Sequence, residues 1–525
     1  MDSRRIVFVV GFALSLTAAP ALAQLVDNNL ATNTENAGIN KTLTEQVGAG
    51  RGNVTTPDSS IFIIKRDPFR SIRRGRQIFQ RKFQVQQGFG PLTGDGAGNI
   101  EADGSIGAGL VDSCAGCHGR PRGSAGAGGN VATRPDSRDA PHLFGLGLVE
   151  MLADEMTSDL RAIRSQAVQQ ANVNGTPVTS TLVAKGVNFG SITAQPGGTV
   201  DTSGVRGVDP DLRVKPFFAQ GGSFSMREFA VGAFNAEMGL EAPDPDLLAA
   251  SQGARVITPS GLVLDGSLDT IPAPPALSPS HDADGDGVVN ELDTSIVDHM
   301  EFYLLNYFKA GTYIQNNDTQ KGRQKFMSIG CGSCHVPDLV IERDRRVADV
   351  ETVYDPARGI FNDLFSTAAA RLTTRNDGTG HPPLKEPSLT SFTVRSIFSD
   401  LKRHDLGPNF WERNFDGSLT REFVTEPLWG VGSTAPYGHD GRSINLNEVI
   451  LRHGGEAQAA RDAFAALSFT DRVKLIGFLE SLVLFPPDDT ASNLDPGDPS
   501  NPAFPQRGHG SIKLTVLFND PSDVE

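Results

Sequence analysis

From Ile72 the chain sets basic and apolar positions at helical spacing, Ile72-Arg-Arg-Gly-Arg76-Gln-Ile78-Phe79, with Phe83 beyond. This predicts a helix. A close copy lies at Lys321-Gly-Arg323-Gln-Lys-Phe326. Two further amphipathic stretches follow these openings. Residues 294–308, TSIVDHMEFYLLNYF, place Ile296, Met300, Tyr303 or Leu304, and Tyr307 on one helical face. Residues 470–484, TDRVKLIGFLESLVL, do the same, with Thr470 as the expected N-cap and Pro486-Pro487 as the stop. The pattern is therefore a repeat: an opening helix with Gly-x-x-x-Phe, an intervening stretch, and a closing helix. The first copy is expanded by a Gly-rich insertion at 88–109.

Each opening helix precedes the same short motif, Cys114-Ala-Gly-Cys117-His118 in one copy and Cys331-Gly-Ser-Cys334-His335 in the other. Two cysteines separated by two residues share a helical turn and can add to the two vinyl groups of one heme. The adjacent imidazole then lies under the ring as the proximal iron ligand. The chain's four cysteines all lie in these motifs. Paired disulfides are a rival reading, but they give no reason for a His after each pair. A Cys₄ zinc site is another, and it leaves both His idle across a long separation. Opening helix, heme motif and closing helix is the plan of a cytochrome c domain. The expected fold is mainly α, two cytochrome c-like heme domains with long irregular loops. Their expected bounds are 62–312 and 313–487, after an extended arm at 24–61 and before an irregular tail at 488–525.

Length and composition sharpen this picture. A chain of 525 residues exceeds one usual domain. Fifty-seven Gly and 33 Pro with 38% hydrophobic residues describe compact cores joined by loops. Arg4 and Arg5, the apolar run Ile6–Leu16 and Ala21-Leu22-Ala23 read as a signal peptide over 1–23, with export to the periplasm or beyond. The apolar run is short for a membrane span, so stable membrane insertion is not expected. The formal charge is −15, and loss of Arg4, Arg5 and Asp2 moves it one unit to −16. Such a surface repels nucleic-acid phosphates and fits weak docking to a basic redox partner.

Each iron needs a sixth ligand or an open face. His381, His404, His439 and His453 are the candidates for the second motif, and His509 lies in the tail. Between His118 and His142 the chain holds neither His nor Met.

One run carries a family likeness: Pro427-Leu-Trp429-Gly-Val-Gly-Ser-Thr-Ala-Pro-Tyr437-Gly-His439-Asp440-Gly441-Arg442. It resembles the signature of the bacterial diheme cytochrome c peroxidases and their relatives, the methylamine dehydrogenase maturation enzyme and the thiol oxidoreductase-like diheme group, most of all the last. The likeness spans roughly 70–485. In the peroxidases a distal Met follows the motif's His by fourteen residues; here that position is His453. The resemblance therefore implies a His335/His453 heme, of lower potential than a His/Met one. Arg138-Asp-Ala-Pro141-His142-Leu-Phe144 resembles the family's Arg-Asn-x-Pro-Thr-x-Phe, with His142 at the Thr position. His142 either caps the first iron or leaves an open site, the favoured reading. Asn235-Ala236-Glu237-Met238-Gly239 resembles the family's Asn-Pro-Val-Glu-Met-Gly, which makes Glu237 the implied acid–base residue. His404 fits the thiol oxidoreductase-like pattern as a heme-edge or propionate contact, and His439 is read as a hydrogen-bonding neighbour. The family's inter-heme Trp is missing from its usual place; Trp411 and Trp429 are both C-terminal.

Asp282-Ala-Asp284-Gly-Asp286-Gly-Val288, ending at Asp293, has the spacing of an EF-hand calcium loop over 282–293, with Asp instead of Glu at the last position. The expected function is electron transfer from a C-terminal bis-His heme to an N-terminal heme that reduces peroxide. The alternatives are an electron carrier and a dioxygen-using enzyme of the rubber-oxygenase type. Expected partners are a small donor protein, cytochrome or cupredoxin, or a quinol-linked donor.

Overall fold

The structure is a computed structural model that describes residues 43–81, 83, 113–114, 118, 139–278, 280–282, 291–306, 316–345, 390–414 and 416–482. The signal segment, Cys117, the calcium-loop positions Asp284, Asp286 and Val288, and the tail lie outside the described residues.

The two opening helices are α3 (Pro68–Gln80) and α8 (Asn317–Ser328), and their closing partners are α7 (Thr294–Asn306) and α11 (Phe469–Glu480). The repeat has a packing reason. A Cβ at Gly75 would sit 2.3 Å from His299 O and 2.3 Å from Tyr303 Cβ. One at Gly322 would sit 1.9 Å from Lys474 O. Glycine at both positions lets the paired helices touch backbone to backbone. The phenylalanine one turn later packs on the closing helix, Phe79 on Tyr303 (centroids 5.8 Å apart) and Phe326 on Phe478 (5.6 Å).

Local signals set the helix ends. Asp67 caps α3 with Pro68 at the first helical position, and Asn316 forms a capping box at α8. The cap of α11 is Ser468, whose hydroxyl accepts the Asp471 N–H, and not Thr470. Ser468 holds the extended backbone a cap requires, whereas Thr470 already lies within the first turn.

The remaining helices are α1 (Leu43–Val47), α2 (Ser60–Arg66), α4 (Leu146–Asn174), α5 (Met226–Met238), α6 (Pro245–Ser251), α9 (Leu446–Arg452) and α10 (Gln458–Ala465). Strands, which helical periodicity did not predict, also occur. An antiparallel sheet joins β1 (Val178–Ala184), β2 (Val187–Ala194) and β3 (Val200–Asp201). Two-stranded antiparallel pairs join β4 (Arg255–Ile257) to β5 (Val263–Asp265), and β6 (Leu339–Ile341) to β7 (Phe392–Val394). Others join β8 (Arg403–Asp405) to β11 (Glu422–Val424), and β9 (Glu412–Arg413) to β10 (Leu419–Thr420). Helices are the longer elements, with short strands between them. No helix among the described residues is long and apolar enough to cross a membrane.

Two apolar clusters form. The larger gathers α3, α4, α5 and α7 and takes in Leu339, Val394, Ile397, Leu401 and Trp429 from far along the chain. The smaller surrounds Phe326, Phe398, Phe464 and Phe478.

A buried ion network fixes α5, which carries Glu237. Arg227 is fully buried, with Asp244 at 2.7 Å, Asp298 at 2.9 Å, Glu301 at 3.1 Å and Asp246 at 3.5 Å. Removing one partner of such a pair costs about 3–5 kcal/mol, because the other charge is left uncompensated. Glu150 of α4 accepts the Met226 N–H at 2.8 Å and so ties the start of α5 to the long helix.

Candidate functional site

Described residues of both Cys-x-x-Cys-His motifs line one cavity of 960 Å³, near the top of the range for small-molecule sites. Its walls are Cys114 and His118, Cys331, Cys334 and His335, His453, Glu237 of α5, and Trp429. Cys114, Cys331 and Cys334 are in no disulfide.

Three imidazoles share one arrangement. His118 Nδ1 lies 2.7 Å from Pro141 O, His335 Nδ1 2.9 Å from Phe398 O, and His453 Nδ1 2.7 Å from Val449 O. A carbonyl only accepts, so each Nδ1 carries the proton and each Nε2 keeps its lone pair. Burial lowers the pKa of all three, to about 4 for His453, and holds them neutral. Neutral Nε2 with Nδ1–H on a backbone carbonyl is the form that binds a metal. His453, the C-cap of α9, feels the imidazole of His335. Among the described residues this donor set fits heme: neutral Nε2 atoms of His335 and His453 beside Cys331 and Cys334, and that of His118 beside Cys114.

His142 differs. Its Nε2 donates to Trp429 O at 2.7 Å, and its Nδ1 accepts the Phe144 N–H at 3.3 Å. Burial lowers its pKa to about 4. With both nitrogens engaged, His142 locks the Trp429 backbone beside the first site and has no lone pair left for iron. Trp429 itself is buried against Gly145, where a Cβ would meet its ring at 2.4 Å. Gly145 has φ 80°. Trp429 thus comes from the C-terminal half yet sits in the larger, N-terminal cluster.

Glu237 is half-buried in the last turn of α5, within electrostatic reach of His118. The next residue, Met238, places its sulfur 4.0 Å from Cys114 Sγ. The helix face therefore runs directly to the first motif.

His404 is clasped between Asp400 and Glu456, each at 2.9 Å, with Cys334 Sγ 4.0 Å away. Burial opposes its charge, but bonding to Asp400 and Cys334 overcomes this and pushes the pKa up to about 11. A thioether at Cys334 would remove that cysteine's share and leave the Asp400 bond. Cys334, Asp400 and His404 offer donors within 4.8 Å of one another. An imidazolium, however, has no lone pair for a metal. His439 stacks on Phe423 (3.9 Å, 13°), with Nε2 3.1 Å from Glu412 Oε1. Asp139 also lines the cavity; burial, with Asp440 beside it, pushes its carboxyl up to about 7.

At the calcium loop, Asp282 and Asp293 are described. Asp293 is exposed and its Oδ1 accepts the Ser295 N–H at 2.8 Å, opening α7.

Sequence reasoning missed Asp400, Glu456, Asp139 and Glu426. Asp139, Glu426 and Glu456 line the cavity, and Asp400 stands behind it on His404.

Residues 339–482 match the family model described as "Di-haem oxidoreductase, putative peroxidase". No curated protein matches the chain. Among solved structures, a MauG-like protein associated with microbial copper homeostasis is 13% identical, over 83% of this chain and 94% of that one, with a TM-score of 0.31. Kuenenia stuttgartiensis hydrazine synthase is 15% identical over 37% of this chain, with a TM-score of 0.23, and the chain spans 57% of its length. The segment that holds Trp429, His439 and His453 is thus similar to the di-haem oxidoreductases.

Proposed function

We propose that the chain is an exported diheme c-type oxidoreductase that takes electrons at its C-terminal site and reduces peroxide at its N-terminal site. One observation carries this reading. Among the described residues, two uncommitted Nε2 atoms, of His335 and His453, face the second site, whereas His118 offers the one beside Cys114. Two axial nitrogens suit an electron carrier; one leaves a face for substrate.

Cys114, Cys117 and His118 would hold one heme, and Cys331, Cys334, His335 and His453 the other. Bound there, heme iron supplies the redox centre and a Lewis-acidic coordination position. The chain supplies the rest. Pro141, Phe398 and Val449 carbonyls orient the imidazoles and raise their basicity. Glu237 takes a proton from an incoming peroxide and returns it to the leaving oxygen. His142 holds the backbone of Trp429 on the wall of the shared cavity, and Trp429 would pass electrons in place of the Trp absent from the N-terminal half.

The reading extends to two cytochrome c-like domains at 62–312 and 313–487, and to calcium at 282–293 bracing α7. It also includes cleavage after Ala23 with periplasmic or secreted location, and a small cytochrome or cupredoxin as donor. A second reading has support from Phe217, Phe218, Phe229 and Phe234, which give the cavity an apolar flank. Such a flank would suit dioxygen chemistry on an apolar chain, as in rubber oxygenases, and oxygen uptake with polyisoprene tests it.

The deciding experiment for peroxide is stopped-flow turnover with Glu237→Gln. Turnover should fall by about 10²–10⁴-fold, the span general acid–base groups contribute, with both heme spectra intact. Unchanged turnover refutes the assignment.

A further inference from the structure

One flank of the cavity has chemistry that the heme motifs do not use. The loop Phe217–Ser223 turns back on itself, with the Phe217 and Ser223 backbones bridged. Phe218 at its tip has φ 60° and is 40% exposed. A bulky residue in the left-handed region is strained and is retained where the surroundings over-determine it. Its ring lies 5.0 Å from Phe229 at 35°. Phe229, Ala230, Ala233 and Glu237 lie one or two turns apart on α5, all on the cavity wall. A small-residue groove thus runs from the Phe218–Phe229 pair to Glu237, roughly 12 Å at 1.5 Å per residue.

The other wall is β11 and its continuation. The Val424 N–H donates to Ala219 O at 2.8 Å and joins this wall to the Phe218 loop. Glu426 follows two residues on, roughly 7 Å in extended chain. Its side chain is open to the cavity and makes no hydrogen bond among the described residues. Gln220 adds an amide on the same flank. An aromatic pair, a small-residue groove, and one carboxyl with one amide is a small-molecule site, largely apolar with a few orienting polar groups.

We propose that this flank binds a phenol or hydroquinone, its ring against Phe218 and Phe229 and its hydroxyl on Glu426. The ligand class rests on the reading of the cavity as an oxidoreductase site; a hydroquinone there would be a small-molecule source of reducing equivalents beside the donor protein.

The test is calorimetric titration of the full-length, heme-loaded protein with hydroquinone and with 1,4-dimethoxybenzene, which keeps the ring and loses the hydroxyl donors. Hydroquinone should bind about tenfold more tightly, the worth of one good hydrogen bond. Glu426→Ala should erase that preference, and Glu426→Gln should keep part of it. Phe218→Ala should weaken both compounds by about tenfold and leave their ratio intact. Unchanged heme absorption certifies that each variant is assembled. Should Glu426→Ala lose its hemes, the ratios in Glu426→Gln and Phe218→Ala decide. Absence of saturable hydroquinone binding, or equal affinities across all variants, overturns the proposal. Hydroquinone binding that depends on Glu426 in a protein that turns over no peroxide would sink the peroxidase reading and leave this one standing.

Discussion

The two Cys-x-x-Cys-His sites are near copies in sequence and different instruments in space. At the C-terminal site, His335 and His453 each spend Nδ1–H on a backbone carbonyl and keep Nε2 for the cavity. At the N-terminal site, His118 is set the same way, but the next imidazole, His142, spends both nitrogens within the protein. The difference does not come from the number of histidines nearby. It comes from which ring nitrogen the backbone claims. A histidine beside a metal site is a ligand only where the fold leaves one nitrogen uncommitted.

Four experiments bear on this contrast, from the largest expected effect to the smallest. Replacing His453 with Ala should remove one axial nitrogen from the C-terminal site and convert its low-spin signal to high-spin; an unchanged EPR spectrum would deny His453 its role. His453→Met should keep a six-coordinate site and raise its reduction potential, by a fraction of the roughly 0.8 V range that axial ligands command. Potentiometric titration reads that shift, and a fall in potential would contradict it.

His142→Phe should leave the coordination of both hemes unchanged. It should cost about 1–3 kcal/mol in chemical denaturation, because Trp429 O loses a buried donor. The pH dependence sharpens the point. The folded pKa of His142 is lowered to about 4, against 6.5 unfolded. The unfolded chain therefore binds the extra proton between those values. The stability that neutral His142 contributes is fully present above pH 6.5 and is lost as pH falls toward 4, by up to about 1.4 kcal/mol per pH unit. The wild-type advantage over His142→Phe should shrink over that window. An advantage that grows as pH falls would reverse the sign and refute the buried neutral state.

The smallest effect is at the loop before α7. Removing calcium with a chelator should lower the melting temperature by a few degrees, as expected for loss of a ligand that binds only the folded state. Indifference to the chelator would exclude the site.

The helix pairs were legible in the sequence because each is a local pattern. Gly75 and Gly322 mark helix crossings because only glycine permits the close approach, and Phe79 and Phe326 follow one turn later. The expectation for His453 rests on its distance from His439 in a family-like run, and the fold puts it on the cavity wall. The three-stranded sheet over 178–201 was not, since strands inserted in a helical unit break no helical period. Nor was the Arg227 network, whose carboxylates come from positions up to 74 residues away. The engagement of His142 by Trp429 O spans 287 residues, and no spacing rule reaches that far. Motifs report what a residue can do, and long-range backbone contacts decide whether it is free to do it.

The asymmetry of the two sites is tested most directly by EPR of the fully oxidised, heme-loaded protein. One high-spin and one low-spin ferric signal in equal amounts is the expected result, with the high-spin signal shifting on cyanide addition. Two low-spin signals would mean that a second nitrogen or sulfur reaches the His118 iron, and the account of an open first site would be wrong.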